Sequence, residues 1–301
     1  MTFSIINIII QLLLPSVFLI ELYKTKFDNK LHWVFQLLST TMIITWLFIA
    51  GAWDWFGYYI RYIFPIVLII VVYLSWRKIK KLPFRTHLSK KEKLNVGING
   101  ILAFIFGLYT IVSLSGFTTE DEPIELQFPL QDGAYYIGQG GNHEQINHHQ
   151  QVEAQQYALD IMKLNAFQTR AKGIYPKDLE KYEIYGEPLY SPCSGEVMET
   201  RGHLEDLTPP ERDQERLEGN YVAVACDGDE EIKVYLAHMQ ENSVLVENGD
   251  MIEEGQQIGS VGNSGNTTEP HLHIHAEKDG VGVPIQFNGE FLTRNSIVKK
   301  D

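Results

Sequence analysis

The sequence predicts an N-terminal four-helix transmembrane domain followed by a C-terminal, mainly antiparallel β domain. Four apolar stretches of about 20 residues lie within residues 1–116. The rest of the chain is rich in short strand-like runs separated by Gly, Asn, Asp and Pro. The charge is also unequal, because residues 1–116 contain 12 Lys and Arg against 4 Asp and Glu, whereas residues 117–301 contain 13 against 34. This asymmetry predicts two domains in different surroundings.

The apolar stretches cover residues 4–22, 33–53, 58–76 and 96–116. Their charged side chains are limited to Glu21 and Arg61, each near an end of its stretch. Each stretch is long enough to span a hydrocarbon core of about 30 Å. A buried helix of a soluble protein could account for one of them, but four in succession predict a multi-pass membrane domain.

The loops between the stretches predict the orientation in the membrane. Loop 23–32 contains three Lys and loop 77–94 contains eight Lys and Arg, whereas loop 54–57 has no basic residue. Because basic loops stay in the cytoplasm, both chain termini and the C-terminal domain are expected outside it. A disulfide between Cys193 and Cys226 is compatible with such an oxidising compartment, although two buried thiols would give the same sequence.

The C-terminal part is expected to begin with a linker at residues 117–132 and to continue as one domain at residues 133–301. The runs GEVMET, NYVAVAC, EIKVYLAH, QQIGSVG and PHLHIHAE predict its strands. Two charged segments, residues 167–186 and 201–219, are expected to be surface excursions that either shape a groove or are neutral.

A cluster of histidines marks the candidate site. His271, His273 and His275 occupy alternating positions, and side chains at alternating positions of a strand share one face. The apolar spacers Leu272 and Ile274 would then face the core, and the three imidazoles would point outward. A His-rich polar strand face is the alternative, but imidazole is the commonest metal-binding side chain, and the adjoining Gly-, Asn- and Thr-rich loop favours a metal site.

Further candidate ligands lie elsewhere in the chain. Asp160 falls within the apolar run YALDIM, where a buried carboxylate needs a partner or a metal. His148 and His149 lie upstream and could reach Asp160 across a loop. His238 ends the apolar run VYLAH, which is unremarkable for a single histidine. The segment HEQINHH lacks the spacing of the helical HExxH zinc motif.

The combination of NHH…QQYALD, PLYSPCSGEV and VYLAHMQENSVLVENGDMIEEGQQIGSVGNSGNTTEPHLHIH resembles the lysostaphin/LytM-type zinc metallopeptidases, bacterial endopeptidases of cell-wall peptidoglycan. The resemblance covers about residues 133–295. It implies a LytM/lysostaphin-like β-sheet peptidase fold, Zn²⁺ as the cofactor, and the peptide part of peptidoglycan as the substrate.

The resemblance also implies a role for each candidate residue. His149, Asp160 and His273 are expected to hold zinc, and His238 and His271 are expected to be catalytic. Two imidazoles and one carboxylate leave a fourth tetrahedral position for water, as in catalytic zinc sites.

Two histidines have alternative assignments. The loop between the first ligand and Asp160 is longer than in many members of the family, so His148 remains an alternative to His149. His275 lies outside the usual set and is expected either beside a ligand or facing solvent.

The sequence thus predicts a membrane-anchored zinc metalloendopeptidase that acts outside the cytoplasm. The alternative is a catalytically silent relative that binds peptidoglycan or a partner and regulates other hydrolases. A sensor is disfavoured because the short inner loops leave no cytoplasmic output domain. The acidic C-terminal part disfavours nucleic acid as a partner. The lipid bilayer is the expected partner of the four helices, which exceed what anchoring needs and could bind a further membrane protein.

Overall fold

The computed structural model describes residues 2–226 and 231–300. The chain divides into two compact units. The helical unit contains Met1–Trp53 and Tyr58–Leu114, and the β unit contains Asp54–Gly57 and Ser115–Asp301. Residues 54–57 therefore pack with the β unit, although they lie in the sequence between two apolar helices.

The helical unit is built from long apolar helices. Its elements are α1 (Thr2–Ile8), a π-helical turn (Ile9–Leu13), α2 (Leu14–Lys24), α3 (Lys30–Ala50), a 3-10 helix (Tyr58–Tyr62), α4 (Ile63–Ile79) and α5 (Lys90–Ser115). Within the part of the chain that the structure describes, four segments are long and apolar enough to cross a membrane, namely Ile5–Lys24, Lys30–Ala50, Tyr58–Ile79 and Lys90–Ser115. The predicted four helices are therefore present, and their composition makes them candidate membrane spans.

Local capping explains why two helices begin earlier than the apolar stretches indicate. Asn29 precedes α3, and its side chain accepts a hydrogen bond from the backbone N–H of His32 at 2.9 Å. Ser89 and Glu92 form a reciprocal capping box at the start of α5, with bonds of 2.8 and 3.3 Å between each side chain and the other residue's N–H. Capped polar turns thus extend both helices beyond their apolar parts.

The β unit is mainly antiparallel, as predicted. Its strands are β1 (Ile124–Glu125), β2 (Gly133–Gln139), β3 (Leu159–Leu164), β4 (Pro188–Tyr190), β5 (Gly195–Arg201), β6 (Asn220–Cys226), β7 (Ile232–Met239), β8 (Met251–Ile252), β9 (Gln257–Ser260), β10 (Leu272–Lys278), β11 (Val281–Val283), β12 (Ile285–Gln286) and β13 (Ile297–Lys300). The main sheet has the order β13-β2-β3-β10-β7-β6-β5-β8, and β11 pairs with β10. β4 and β9 form a separate antiparallel pair, and β1 and β12 a parallel one.

Strand alternation separates the two faces of the main sheet. In β6, Val222 and Val224 enter the large apolar core, whereas Tyr221 and Ala223 cluster on the opposite face. The core also receives Leu126, Phe128 and Leu130. Part of the segment expected to be a linker therefore packs with the β unit, because its alternate apolar residues find a buried surface.

A disulfide joins two neighbouring strands of this unit. Cys193 lies just before β5 and Cys226 ends β6, and their Cα atoms are 5.7 Å apart. The bond closes a loop whose ends are 33 residues apart in sequence. The two cysteines of the chain are therefore paired, which agrees with an oxidising compartment.

Replacing Cys193 and Cys226 together by Ala should lower the free energy of unfolding of the β unit by about 2–4 kcal/mol, because the unfolded chain regains loop entropy. Pulse proteolysis of the full chain across a urea series measures the change. A reductant should reproduce the loss in the wild-type protein and leave the variant unchanged. Equal midpoints for both proteins would contradict this role of the disulfide.

Candidate metal centre

Two adjacent strands of the main sheet carry two of the candidate ligands. In the register of the sheet, His273 of β10 pairs with Asp160 of β3 on one side and with Ala237 of β7 on the other. Side chains of directly paired residues lie on the same face. Asp160 and His273 therefore share the face of the sheet opposite the main core.

The carboxylate of Asp160 is the point on which the imidazoles converge. Its Oδ1 lies 3.0 Å from His149 Nε2, 3.1 Å from His273 Nδ1 and 3.4 Å from His271 Nε2. Burial by itself would raise the pKa of Asp160, but the neighbouring His149 and His271 outweigh it and hold that pKa well below its usual value. Asp160 is therefore an ionised, buried carboxylate.

A β-bulge brings His238 to the same face. Asn220 pairs with Met239 and Tyr221 with Ala237, so His238 is the extra residue of β7. Its φ of 61° lies in the left-handed region, which residues with a Cβ seldom adopt. Without the bulge, strand alternation would turn this side chain away from the site.

The loop at residues 263–270 orients two histidines through backbone carbonyls. His238 Nδ1 donates to Ser264 O at 2.9 Å, and His271 Nδ1 donates to Glu269 O at 2.8 Å. A carbonyl can only accept, so each ring carries its proton on Nδ1 and directs Nε2 elsewhere. For His271, Nε2 faces the Asp160 carboxylate.

The two rings have different proton affinities. Burial, together with the nearby His271 and His273, lowers the pKa of His238 well below its usual value. Burial would also lower the pKa of His271, but the charge and hydrogen bond of Asp160 raise that pKa above its usual value. His238 is thus held neutral, while His271 can take up a proton.

His275 supports the ring of His273. Its Nδ1 lies 3.0 Å from His273 Nε2, and its ring stacks on Tyr235 with a centroid separation of 4.8 Å and an interplanar angle of 3°. His275 is buried, as are His271 and His273. The spacers Leu272 and Ile274 face the core, as the alternation predicts, but the face that carries the imidazoles is buried and does not point outward into solvent.

Of the two histidines at the first ligand position, His149 faces the site. The His149 ring is partly buried, and its centroid lies 4.6 Å from that of His273, whereas His148 is exposed. The two rings are neighbours, with centroids 4.0 Å apart, and both belong to a short 3-10 helix, His148–Gln151.

A residue that sequence reasoning missed, Asn147, fixes this helix. Its side-chain amide donates to Gly141 O, Gln156 O and Ala158 O at 2.9, 3.2 and 3.1 Å. Its Oδ1 accepts the N–H of His149 at 3.2 Å. The signal in the sequence is the Asn directly before the two histidines, a residue type that caps helices.

Sequence reasoning also missed Arg294 and Gln139. Arg294 is partly buried, and its guanidinium donates to Ile146 O at 3.0 Å and to the side-chain oxygen of Gln139. The same Gln139 oxygen accepts the N–H of His148 at 3.2 Å. Together these bonds hold the 3-10 helix against β2.

The donor set fits a zinc ion. Two groups of candidate ligands, His238–His271–His273 and His148–His149–Asp160, each have ligand atoms within 4.8 Å of one another. Imidazole nitrogens and carboxylate oxygens are ligands that zinc prefers. When His275 Nδ1 accepts the proton of His273 Nε2, the lone pair of His273 Nδ1 faces the Asp160 carboxylate. A cation between these two groups would remove their mutual repulsion.

Part of the β unit matches a known protein family. Residues 180–285 match the family model described as Peptidase family M23, so the β unit contains a peptidase M23 domain. The matched part includes His238, His271 and His273, whereas His149 and Asp160 precede it. The resemblance to lysostaphin/LytM-type peptidases is confirmed at the level of the family.

Individual relatives cover parts of the chain. The chain is 28% identical over 144 residues to the peptidoglycan DD-endopeptidase ShyA of Vibrio cholerae, an alignment that covers 48% of this chain and 30% of the relative. The chain therefore spans less than a third of the length of that relative.

Solved structures with partial similarity include a zinc-containing peptidase from Vibrio cholerae, with 28% identity, 34% of this chain and 26% of that chain covered, and a TM-score of 0.26. Lysostaphin from Staphylococcus simulans has 21% identity, 40% and 36% coverage, and a TM-score of 0.26. Because these TM-scores are low, the assignment to family M23 rests on the match of residues 180–285.

Replacing His149 by Ala should weaken zinc binding more than about 100-fold. Loss of a residue that only supports a ligand weakens metal binding by at most about 100-fold, so a larger loss identifies a ligand. His148→Ala is the matched control and should weaken binding less than about tenfold, the lower end of that range. Competition with a chelating dye measures both dissociation constants. A larger loss for His148→Ala would make His148 the ligand.

Proposed function

We propose that this protein is a membrane-anchored zinc metalloendopeptidase that hydrolyses peptide bonds of peptidoglycan outside the cytoplasm. The M23 domain supports the reaction class, and the DD-endopeptidase relative supports the substrate. The convergence of three imidazole nitrogens on Asp160 Oδ1 is the observation that carries the proposal.

We assign zinc binding to His149, Asp160 and His273. His149 Nε2 and His273 Nδ1 both face the Asp160 carboxylate, and His275 keeps the His273 ring in its orientation. If these residues hold a zinc ion, it would supply Lewis-acid polarisation of the peptide carbonyl and activation of water near neutral pH.

We assign the proton transfers to His271 and His238. The Nδ1 proton of each ring is committed to a backbone carbonyl, so Nε2 is the atom available to the substrate and the attacking water. His271 Nε2, beside Asp160, accepts a proton from water and later donates it to the leaving amine. The ring centroid of His238 lies 4.9 Å from that of His271. His238, kept neutral by burial, orients the water or the carbonyl oxygen.

The full chain in detergent should release soluble peptides from purified peptidoglycan, and a chelator should abolish the release until zinc is restored. His271→Ala should lower kcat about 10²- to 10⁴-fold, as expected for loss of a proton-transfer group. His203→Ala removes a histidine of the same unit that lies outside the site and should leave kcat unchanged.

Chromatography of the released fragments measures kcat for the wild-type protein and for the two variants. Binding of peptidoglycan without release by the zinc-loaded wild-type protein would refute the enzyme and favour the alternative, a silent regulator of cell-wall hydrolases.

We further propose that residues 1–116 form the membrane domain, with both termini outside the cytoplasm. The four apolar segments supply the spans, and the basic loops 23–32 and 77–94 supply the orientation.

Alkaline phosphatase fused after residue 116 should be active, because the enzyme matures only outside the cytoplasm. The matched fusion after residue 85, within the basic loop, should be silent. The reverse pattern would invert the proposed topology.

A further inference from the structure

Segment 54–57 carries two buried side chains that pack on Arg170. The backbone oxygen of Asp54 accepts the N–H of Arg170 at 3.2 Å, and Asp54 Oδ2 lies 3.4 Å from Arg170 Nε. The Trp55 ring lies over the guanidinium, with its centroid 3.9 Å from Arg170 Cζ. Asp54, Trp55 and Arg170 are all at most 6% exposed. Residues 167–186, expected to be a surface excursion, therefore contribute a buried charge.

The same guanidinium binds a carboxylate of the loop that carries His271. Arg170 Nε and Nη2 donate to Glu269 Oε2 at 2.8 and 2.6 Å. Arg170 thus lies between two buried acids, and burial raises the pKa of Asp54 to about 6. A buried ion pair whose partner is removed becomes strongly unfavourable, so each member of this cluster restrains the others.

A second contact links the segment to the same loop. Trp55 stacks on Tyr175 with centroids 5.3 Å apart and an interplanar angle of 8°. The Tyr175 hydroxyl donates to Thr268 O at 2.7 Å. Side chains of segment 54–57 therefore support both Thr268 and Glu269, through Tyr175 and Arg170.

The loop also contacts His271, so the same restraint fixes the position of that ring. Glu269 is fixed at its carboxylate by Arg170, and its backbone oxygen accepts the Nδ1 proton of His271 at 2.8 Å. Thr267 Oγ1 donates to the same backbone oxygen at 2.7 Å and lies 3.2 Å from His271 Nδ1. Movement of Glu269 would therefore rotate the His271 ring away from the carboxylate of Asp160.

We propose that Asp54, Trp55 and Arg170 are positioning residues for His271, so that the segment between two apolar helices forms part of the peptidase site. The predicted effect of these residues on kcat rests on the proposed function. Its structural consequence, the ordering of loop 263–271, is independent of catalysis.

The test uses the full chain with Trp55→Ala and Asp54→Asn. Because His271 acts in the transition state, kcat should fall about 10- to 100-fold in each variant, the cost of a misplacement of about 1 Å. KM should stay within about twofold, since ground-state binding is untouched. Zinc affinity should stay within about tenfold, below the losses expected for ligands. Trp55→Phe keeps a ring on the guanidinium and should recover most of kcat.

The matched controls remove the same chemical groups elsewhere. Trp76→Ala removes a 44% exposed tryptophan of α4, and Asp28→Asn neutralises an exposed acid of the loop between α2 and α3. Both should keep the wild-type kcat. Hydrogen exchange provides the readout that does not need activity. Amides of residues 263–271 should exchange about tenfold faster in Trp55→Ala, as expected for a loop that opens locally, and at the wild-type rate in Trp76→Ala.

The possible outcomes separate the two proposals. Wild-type kcat and exchange in Trp55→Ala and Asp54→Asn would overturn the positioning role. Loss of zinc, or faster exchange throughout β3, β7 and β10, would show a merely structural role and would equally overturn it. Failure of the wild-type protein to cleave peptidoglycan would refute the proposed function, while the exchange of residues 263–271 would still decide the positioning role.

Discussion

The candidate site depends on one buried, ionised carboxylate. Asp160 lies in the middle of a sheet, where an unpaired charge would be very costly, and its stability there requires the imidazoles that surround it. The strand register supplies His273, the 3-10 helix supplies His149, and the loop after β9 supplies His271. Each of these elements brings its own hydrogen bonds, so three separate parts of the chain stabilise the charge of this one side chain.

The supporting contacts follow a common pattern. Backbone carbonyls of Ser264 and Glu269 orient the rings of His238 and His271, and the buried amide of Asn147 fixes the backbone of His149. Such groups have no charge to lose over the neutral pH range, so they fix the ring orientation without competing for a metal ion. A histidine oriented in this way keeps one defined nitrogen directed at the site.

Much of the fold and the site could be predicted from the sequence because the informative patterns are local. Apolar length identifies the four helices, and period-two alternation identifies β10. An acid within an apolar strand identifies Asp160. The bulge at His238 could not be predicted, because it depends on how β7 pairs with β6. The contact between Arg170 and Glu269 joins residues 99 positions apart, and no periodicity reports such a distance. The burial of part of residues 117–132, expected to be a linker, likewise depends on contacts with residues distant in sequence.

The assignment of segment 54–57 to the β unit bears on how this protein is prepared for biochemistry. A soluble fragment that starts after α5 would retain every candidate ligand and the disulfide, and it could look intact by the usual criteria of purity and secondary structure. It would nevertheless lack the indole and the acid that normally cover Arg170. Slow turnover by this fragment would be a property of the fragment. It would not show that the full chain is inactive.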